Sequence, residues 1–432
     1  MSNIVNVNVS VQAASAPSTL QATGAIVTQG GTTTSSGTYT LLTSASSLTA
    51  ILAAPKAITT MTWTLGVVTA TVTGGHGYPV SANPISATIA GVTPTGYNGT
   101  YSITVTSATQ FTYALATNPG SSTTQGTVTN YNAGLLTNSV ATFFAQGTAG
   151  SVYVLELGSG TAAAGVTALQ AWITANAGIF YAYLLPVLWD AEATTLAFVN
   201  QYTSVSTAVY FFLPVTATSW ATYTGVKSVV MVSSAPTSAL TEVPSAAPFH
   251  LMIGYAPSAT NLVTQAAYSY MYGLTAWNVN STSIPTMETA KVNYMASGAE
   301  GGLSNVILKK GVMADGSSIQ HNYSVDWVYI NGKMALAAAI INGSNSAVNP
   351  LYYNQNGINR LQASLQAIIN NGVSFGMLGG TPVVNATSYV DYTTANPTDY
   401  ANGIYNGLSV TISTQQGFLT ITFNLVISNL AP

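Results

Sequence analysis

The chain has 432 residues, room for two to four domains and more than one core. Only 4% of them are Asp, Glu, Lys or Arg, against roughly 25% in an average soluble protein. Seven scattered basic residues, with Lys309-Lys310 the only adjacent pair, cannot displace counterions from phosphates, which excludes a nucleic-acid binder; the lack of cysteine excludes disulfides and thiolate metal sites.

Ser, Thr, Asn, Gln and Gly stand where charge is missing. Such a surface makes hydrogen bonds but little long-range field, and low net charge removes the self-repulsion that keeps molecules apart. That suits a molecule held against many neighbours. The densest apolar stretch, Gly178 to Trp189, is too short to span a membrane and contains Pro186. The N-terminus has no basic region followed by an apolar run, so no secretion signal is expected.

In chain order, Val5, Val7, Val9 and Val11 alternate with Asn6, Asn8, Ser10 and Gln12, a strand signal. Residues 13–37 are rich in Ala, Ser, Thr and Gly and read as a tether, with one short strand around Ala25-Ile26-Val27, so the first strand is expected to be an arm. A short helix is predicted near Leu48 to Leu52. Residues 58–131 carry short alternating runs separated by turn signals: Val68, Ala70 and Val72; Asn98-Gly99; Tyr101, Ile103 and Val105; Phe111, Tyr113 and Leu115. They predict a small all-β domain of the sandwich type.

From about 148 the texture changes to strand and helix in alternation. Strands are predicted over 152–157, 180–185, 208–215 and 226–232, and helices at Val166-Leu169-Trp172, Ala191–Tyr202 and Asn261–Tyr272, which argues a parallel α/β layer. Further on, Asp326 to Ile341 predicts a helix. Ile358, Leu361, Leu365, Ile368 and Ile369 predict another, capped at Asn370-Asn371-Gly372. Leu408, Val410 and Ile412 predict a strand leading through Thr414-Gln415-Gln416-Gly417, a hairpin connection, to a last strand: Leu419, Ile421, Phe423, Leu425 and Ile427.

Candidates for chemistry are few. His76, His250 and His321 are far apart and none has a second ligand at metal spacing. Asp190 and Glu192 fit the favourable N-terminus of a predicted helix. Gly158, Gly160 and Gly165 follow a strand, but their spacing is wrong for a dinucleotide loop. No G-x-S-x-G, P-loop or calcium loop is present. The reading is of a non-enzyme with no cofactor, no metal and no small-molecule substrate.

A donated arm is marginal by itself. Burying four valines contributes at most roughly 6 to 12 kcal/mol, while ordering eight or so residues costs roughly 8 to 16 kcal/mol. Assembly is favourable only when both termini engage together, so that later contacts become intramolecular.

The opening residues 1–10, the strand Ser151-Val152-Tyr153-Val154-Leu155-Glu156-Leu157, the block from Val325 to Gly372 and the closing Phe418 to Ser428 resemble tail sheath proteins of contractile phages. Residues 58–131 separately resemble the β-sandwich inserts of phage tail proteins, through Gly75-His76-Gly77 and Gly96-Tyr97-Asn98-Gly99-Thr100. The resemblance implies an α+β / α/β multidomain chain: an α/β sheath core with terminal β-strand arms and an inserted all-β (Ig-like) domain. Its parts would be 1–57 (arm and start of the core), 58–131 (insert), 132–275 (α/β domain) and 276–432 (C-terminal core domain with its arm). It implies stacked hexameric rings that contract around a tail tube, with strands exchanged through Val5, Val7, Val9, Val11, Leu419, Ile421, Phe423, Leu425 and Ile427. The implied partners are further copies, the tail tube protein, and baseplate and tail terminator proteins; the implied place is the virion tail, assembled in the bacterial cytoplasm. The sparse charge departs from many sheath proteins. The alternative from another class is a surface adhesin or receptor-binding fibre.

Overall fold

The computed structural model describes residues 19–79, 85–147, 150–203, 208–298 and 304–419. They divide into two compact units: one holds 20–255 and 266–319, the other 256–265 and the residues from 320 onward.

The larger unit is built on an eight-stranded sheet. Its strands lie in the order Val306–Lys309, Asn293–Ser297, Val229–Ser233, Tyr210–Pro214, Ala182–Leu184, Gly24–Thr28, Val152–Glu156, Tyr39–Leu42. The six inner strands are parallel and the two outer ones antiparallel. Segments such as Tyr210-Phe211-Phe212-Leu213 and Val229-Val230-Met231-Val232 are buried on both sides, which only a sheet covered on both faces satisfies. One face, with Ala25, Val27, Leu155, Phe211, Leu213, Val229 and Met231, packs with Val166, Leu169 and Trp172 of helix Ala162–Ala175 and with Phe198 of helix Ala193–Val199. On the opposite face Phe212 meets Phe249 of helix Ala246–Gly254, and Phe249 meets Phe143 of helix Tyr131–Ala145.

Two expectations change here. The short strand expected around Ala25-Ile26-Val27 is present as Gly24–Thr28, but as an inner strand of the sheet rather than part of a tether, with Ala25 opposite both Tyr153 and Tyr183. Its small, uncharged residues look like linker in isolation, yet they fit between covered faces. The helix expected over Asn261–Tyr272 is absent. Residues 268–271 instead run beside the outer strand, where the Tyr268 amide donates to Leu308 O and the Met271 amide to Val306 O. Tyr268, Tyr270 and Tyr272 recur with period two, and edge pairing uses that period rather than the helical one. The helix lies earlier, at Ala246–Gly254, where Pro248 falls within the first turn and loses no intrahelical bond.

The same unit contains a seven-stranded antiparallel sheet, ordered Lys56–Ala57, Thr124–Val128, Ile85–Thr93, Gly99–Val105, Gln110–Ala114, Val67–Thr71, Thr60–Thr64. It has its own core cluster, including Val68, Ala70, Ile89, Tyr97, Ile103, Phe111 and Tyr113. Its strands bear no charge except Lys56, the one charged residue before Glu156. Outward threonines pair across strands instead, Thr60 with Thr71 and Thr62 with Thr69, the latter facing Thr112 on its other side.

Glu156, 1% exposed, ends one of the inner strands. One carboxylate oxygen accepts from the amides of Gly30 (2.6 Å) and Gly158 (2.7 Å). The other accepts from the Thr32 amide (3.0 Å) and hydroxyl (2.7 Å). It thus ties the loops that leave two adjacent inner strands.

Gly24 begins the inner strand where helix Ala246–Gly254 crosses it. A β-carbon there would lie 2.7 Å from the Phe249 ring and 3.0 Å from Ile253. Gly24→Ala is expected to destabilise the chain by about 1–3 kcal/mol through overpacking, read as a lower midpoint in urea unfolding.

Candidate assembly edge

In the smaller unit, helix Gln355–Ser374 starts at Asn354, whose side chain accepts from the Gly357 amide. Gly357 is required there, because a β-carbon would sit 1.9 Å from Tyr352 O. The cap expected at Asn370-Asn371-Gly372 falls instead at Gly376, in the left-handed region (φ 73°). Gly372 lies within the helix, where its missing side chain admits Leu378. Helix Ile319–Ser344 covers the stretch expected from Asp326 to Ile341.

Beside these helices two segments run antiparallel. Leu378–Gly379 pairs with Ser413–Thr414, and Asn385–Ala386 pairs with Leu408–Ser409. The register shifts by two residues between the pairs, since 380–384 oppose only 410–412, and Gly380 (φ 70°) takes up the bulge. Thr414, expected to open the hairpin connection, is a strand residue paired with Leu378; the last strand expected beyond that connection lies, Leu419 apart, outside the described residues.

The two outer edges differ. On the 378–386 side, Gln366 Oε1 accepts from the Val384 amide (2.8 Å) while its Nε2 donates to Pro382 O (3.0 Å). Gln362 Nε2 donates to Val384 O (2.6 Å). These amides take the place of a neighbouring strand. On the 408–413 side no second strand pairs among the described residues. Leu408, Val410 and Ile412 are half-buried, while Ser409, Thr411 and Ser413 are exposed. Over 408–413 the edge carries no charged residue and no proline, and each paired stretch is two residues long.

Of the residues expected to exchange strands, Leu419 is the last described and is 55% exposed. Val5, Val7, Val9, Val11, Ile421, Phe423, Leu425 and Ile427 lie outside the described residues.

The chemistry candidates are spread apart. His76 is buried, its Nδ1 accepting from the Tyr78 amide and its Nε2 paired with Ser107 O. His321 Nδ1 pairs with Thr414 Oγ1 beside the short strands. Glu192 caps helix Ala193–Val199, accepting from the Thr194 amide, as acidic residues at a helix start should. Asp190 does something else. It is buried in the preceding turn and accepts from the Thr216 amide and hydroxyl (both 2.8 Å) and the Ser219 hydroxyl, holding the loop after another inner strand. Gly165 lies under the Gln29 side chain, which donates to Thr161 O and accepts from Trp189 Nε1. Among the described residues no group of three metal-ligating side chains forms, and no helix is long and apolar enough to cross a membrane.

His250 lies against the Phe143 ring (4.8 Å), and its Nε2 has no partner among the described residues. Burial holds its pKa below the ordinary value. The unfolded chain therefore takes up a proton that the folded one refuses, so stability is expected to fall as pH drops below about 6.5. His250→Phe should flatten that part of the stability–pH curve in thermal melts. Gln366→Leu should leave the Val384 amide and Pro382 carbonyl without partners, costing about 1–3 kcal/mol; faster hydrogen exchange at Val384 is the readout.

No protein-family model matches the chain, and no curated protein matches its sequence. Solved structures match its fold. A chain from the cryo-EM structure of the anti-feeding prophage (AFP) helical sheath in the contracted state aligns over 99% of this chain and 99% of its own, with 11% identity and a TM-score of 0.57. A chain from the AFP baseplate, 6-fold symmetrised, aligns over 99% and 100%, with 13% identity and a TM-score of 0.55. The sheath tail protein Lin1278 from Listeria innocua aligns over 91% and 94%, at 11% identity and a TM-score of 0.44. The chain shares the mixed α/β fold of the two AFP chains along its whole length.

Proposed function

We propose that this chain is the structural subunit of a contractile tail sheath. The observation that carries the reading is full-length agreement in fold with a chain of a helical sheath in its contracted state. In this reading copies assemble as hexameric rings stacked along a tail tube, held by strands exchanged between neighbours, and contraction drives the tube through a bacterial envelope. The fold match to a baseplate chain supports a baseplate as one partner; the tube and a terminator complete the set. The particle is a phage tail assembled in the host cytoplasm.

The open 408–413 edge is where we place an incoming strand. Val5 to Val11, or Leu419 to Ile427, would complete the ladder there with backbone hydrogen bonds and alternate side chains. Closure of the opposite edge by Gln362 and Gln366 would direct the strand to one side only. The 56–128 sheet is assigned as an inserted module attached to the sheath body. Function in this reading lies in interfaces rather than in catalysis.

Deleting residues 1–12 is expected to leave a folded body that no longer forms long hollow tubes in electron micrographs. Normal tubes from the truncated chain would remove strand donation by the N-terminus from the proposal. Absence of tubes from the full chain, with thin rods in their place, would remove the sheath itself.

A further inference from the structure

We propose that the loops at the carboxyl ends of Gly24–Thr28 and Val152–Glu156 form an anion-binding cradle whose resident ligand is the chain's own Glu156 carboxylate. With that carboxylate removed, the cradle takes up a free monocarboxylate of acetate size.

Topology supplies the first argument. Numbered along the chain, the six parallel strands lie in the order 2-1-3-4-5-6, with Gly24–Thr28 as strand 1 and Val152–Glu156 as strand 2. The chain steps to one side of strand 1 and then crosses back to the other. Where the order reverses, the loops at the carboxyl ends part, and sheets of this kind hold ligands there. The loops that part follow strand 1, whose loop carries Gly30 and Thr32, and strand 3, Ala182–Leu184; Gly158, after strand 2, joins the strand 1 loop from the other side.

The second argument is the geometry around Glu156. Three backbone amides and one hydroxyl converge on its two oxygens at 2.6–3.0 Å. Gly30 (φ 72°) and Gly158 (φ 81°) are both left-handed, a conformation that costs glycine little, and each presents its amide inward. The carboxylate is almost wholly enclosed, and no lysine, arginine or histidine forms an ion pair with it among the described residues. Its charge is therefore met by fixed dipoles alone, which is how backbone concavities hold phosphate and carboxylate ligands.

The third argument is size. Replacing Glu156 by Ala deletes one methylene and the carboxylate, the atoms of an acetate ion, and leaves three inward-pointing amides with no acceptor beside the Thr32 hydroxyl, which keeps Thr34 Oγ1 at 2.8 Å. Buried donors without acceptors are costly, so the variant should be weakened and should regain its partners from solution.

Thermal unfolding of the full chain tests this with wild type, Glu156→Ala and Glu156→Gln, titrated with sodium acetate against sodium chloride and acetamide. Both variants should melt below wild type. Acetate should raise the midpoint of the Ala variant by several degrees and saturate, while acetamide should not. Wild type and the Gln variant, whose cradles are filled, should follow the chloride control. Equal effects of acetate on wild type and the Ala variant, or an Ala variant as stable as wild type, overturn the proposal. If the Ala variant is insoluble, its refolding yield from urea should rise with acetate over chloride, and an unchanged yield overturns it. Phosphate that stabilises wild type beyond the chloride control would show the cradle open to outside anions, contradicting a resident carboxylate.

Discussion

Carboxylates in this chain do their work from inside. Glu156 gathers the amides of Gly30, Thr32 and Gly158, and Asp190 gathers the Thr216 amide with two hydroxyls. Both lie where the chain leaves inner strands of the parallel sheet, the region where backbone amides would otherwise be buried without acceptors. Hydrogen bonds to an ionised acceptor are stronger than neutral ones, so a single side chain can fix two loops. The register of Gly24–Thr28 between Val152–Glu156 and Ala182–Leu184 is held in part by these ties.

The scarcity of surface charge follows the same division. The one ion pair among the described residues, Lys310 with Glu288 at 3.5 Å, is half-exposed and contributes little to stability. The seven-stranded sheet dispenses with charge and pairs threonine with threonine across its strands. Hydroxyls donate and accept alike, so such a surface can meet another neutral surface without a fixed pattern of opposite charges. Under the proposed function, contacts of this kind would tolerate a change of register between subunits better than matched ion pairs.

Much of the architecture was legible from periodicity. The strands through Val152, Tyr210 and Val229 appear as continuous apolar runs because both faces are covered, and the helix carrying Val166, Leu169 and Trp172 shows its buried stripe. The β texture of residues 58–131 was legible because antiparallel strands alternate and their turns carry glycine. The strand at Gly24–Thr28 was legible but its inner place was not, since five uncharged residues owe their position to neighbours far along the chain. The helix expected over Asn261–Tyr272 failed for a related reason: 268–271 satisfy their backbone on an outer strand that no local signal announces.

The candidate edge divides along the same line. Sequence alone determined that Leu408, Val410 and Ile412 alternate and that charge is absent around them, because period and composition are local properties. Only the tertiary structure decided which edge lacks a second strand among the described residues. Gln362 and Gln366 close one side because a helix brings their amides against Pro382 and Val384, and nothing in the spacing of two glutamines on a helix reveals which distant backbone they meet. The same holds for Glu156, an ordinary acidic residue in a strand until folding collects around it amides from more than a hundred positions earlier in the chain.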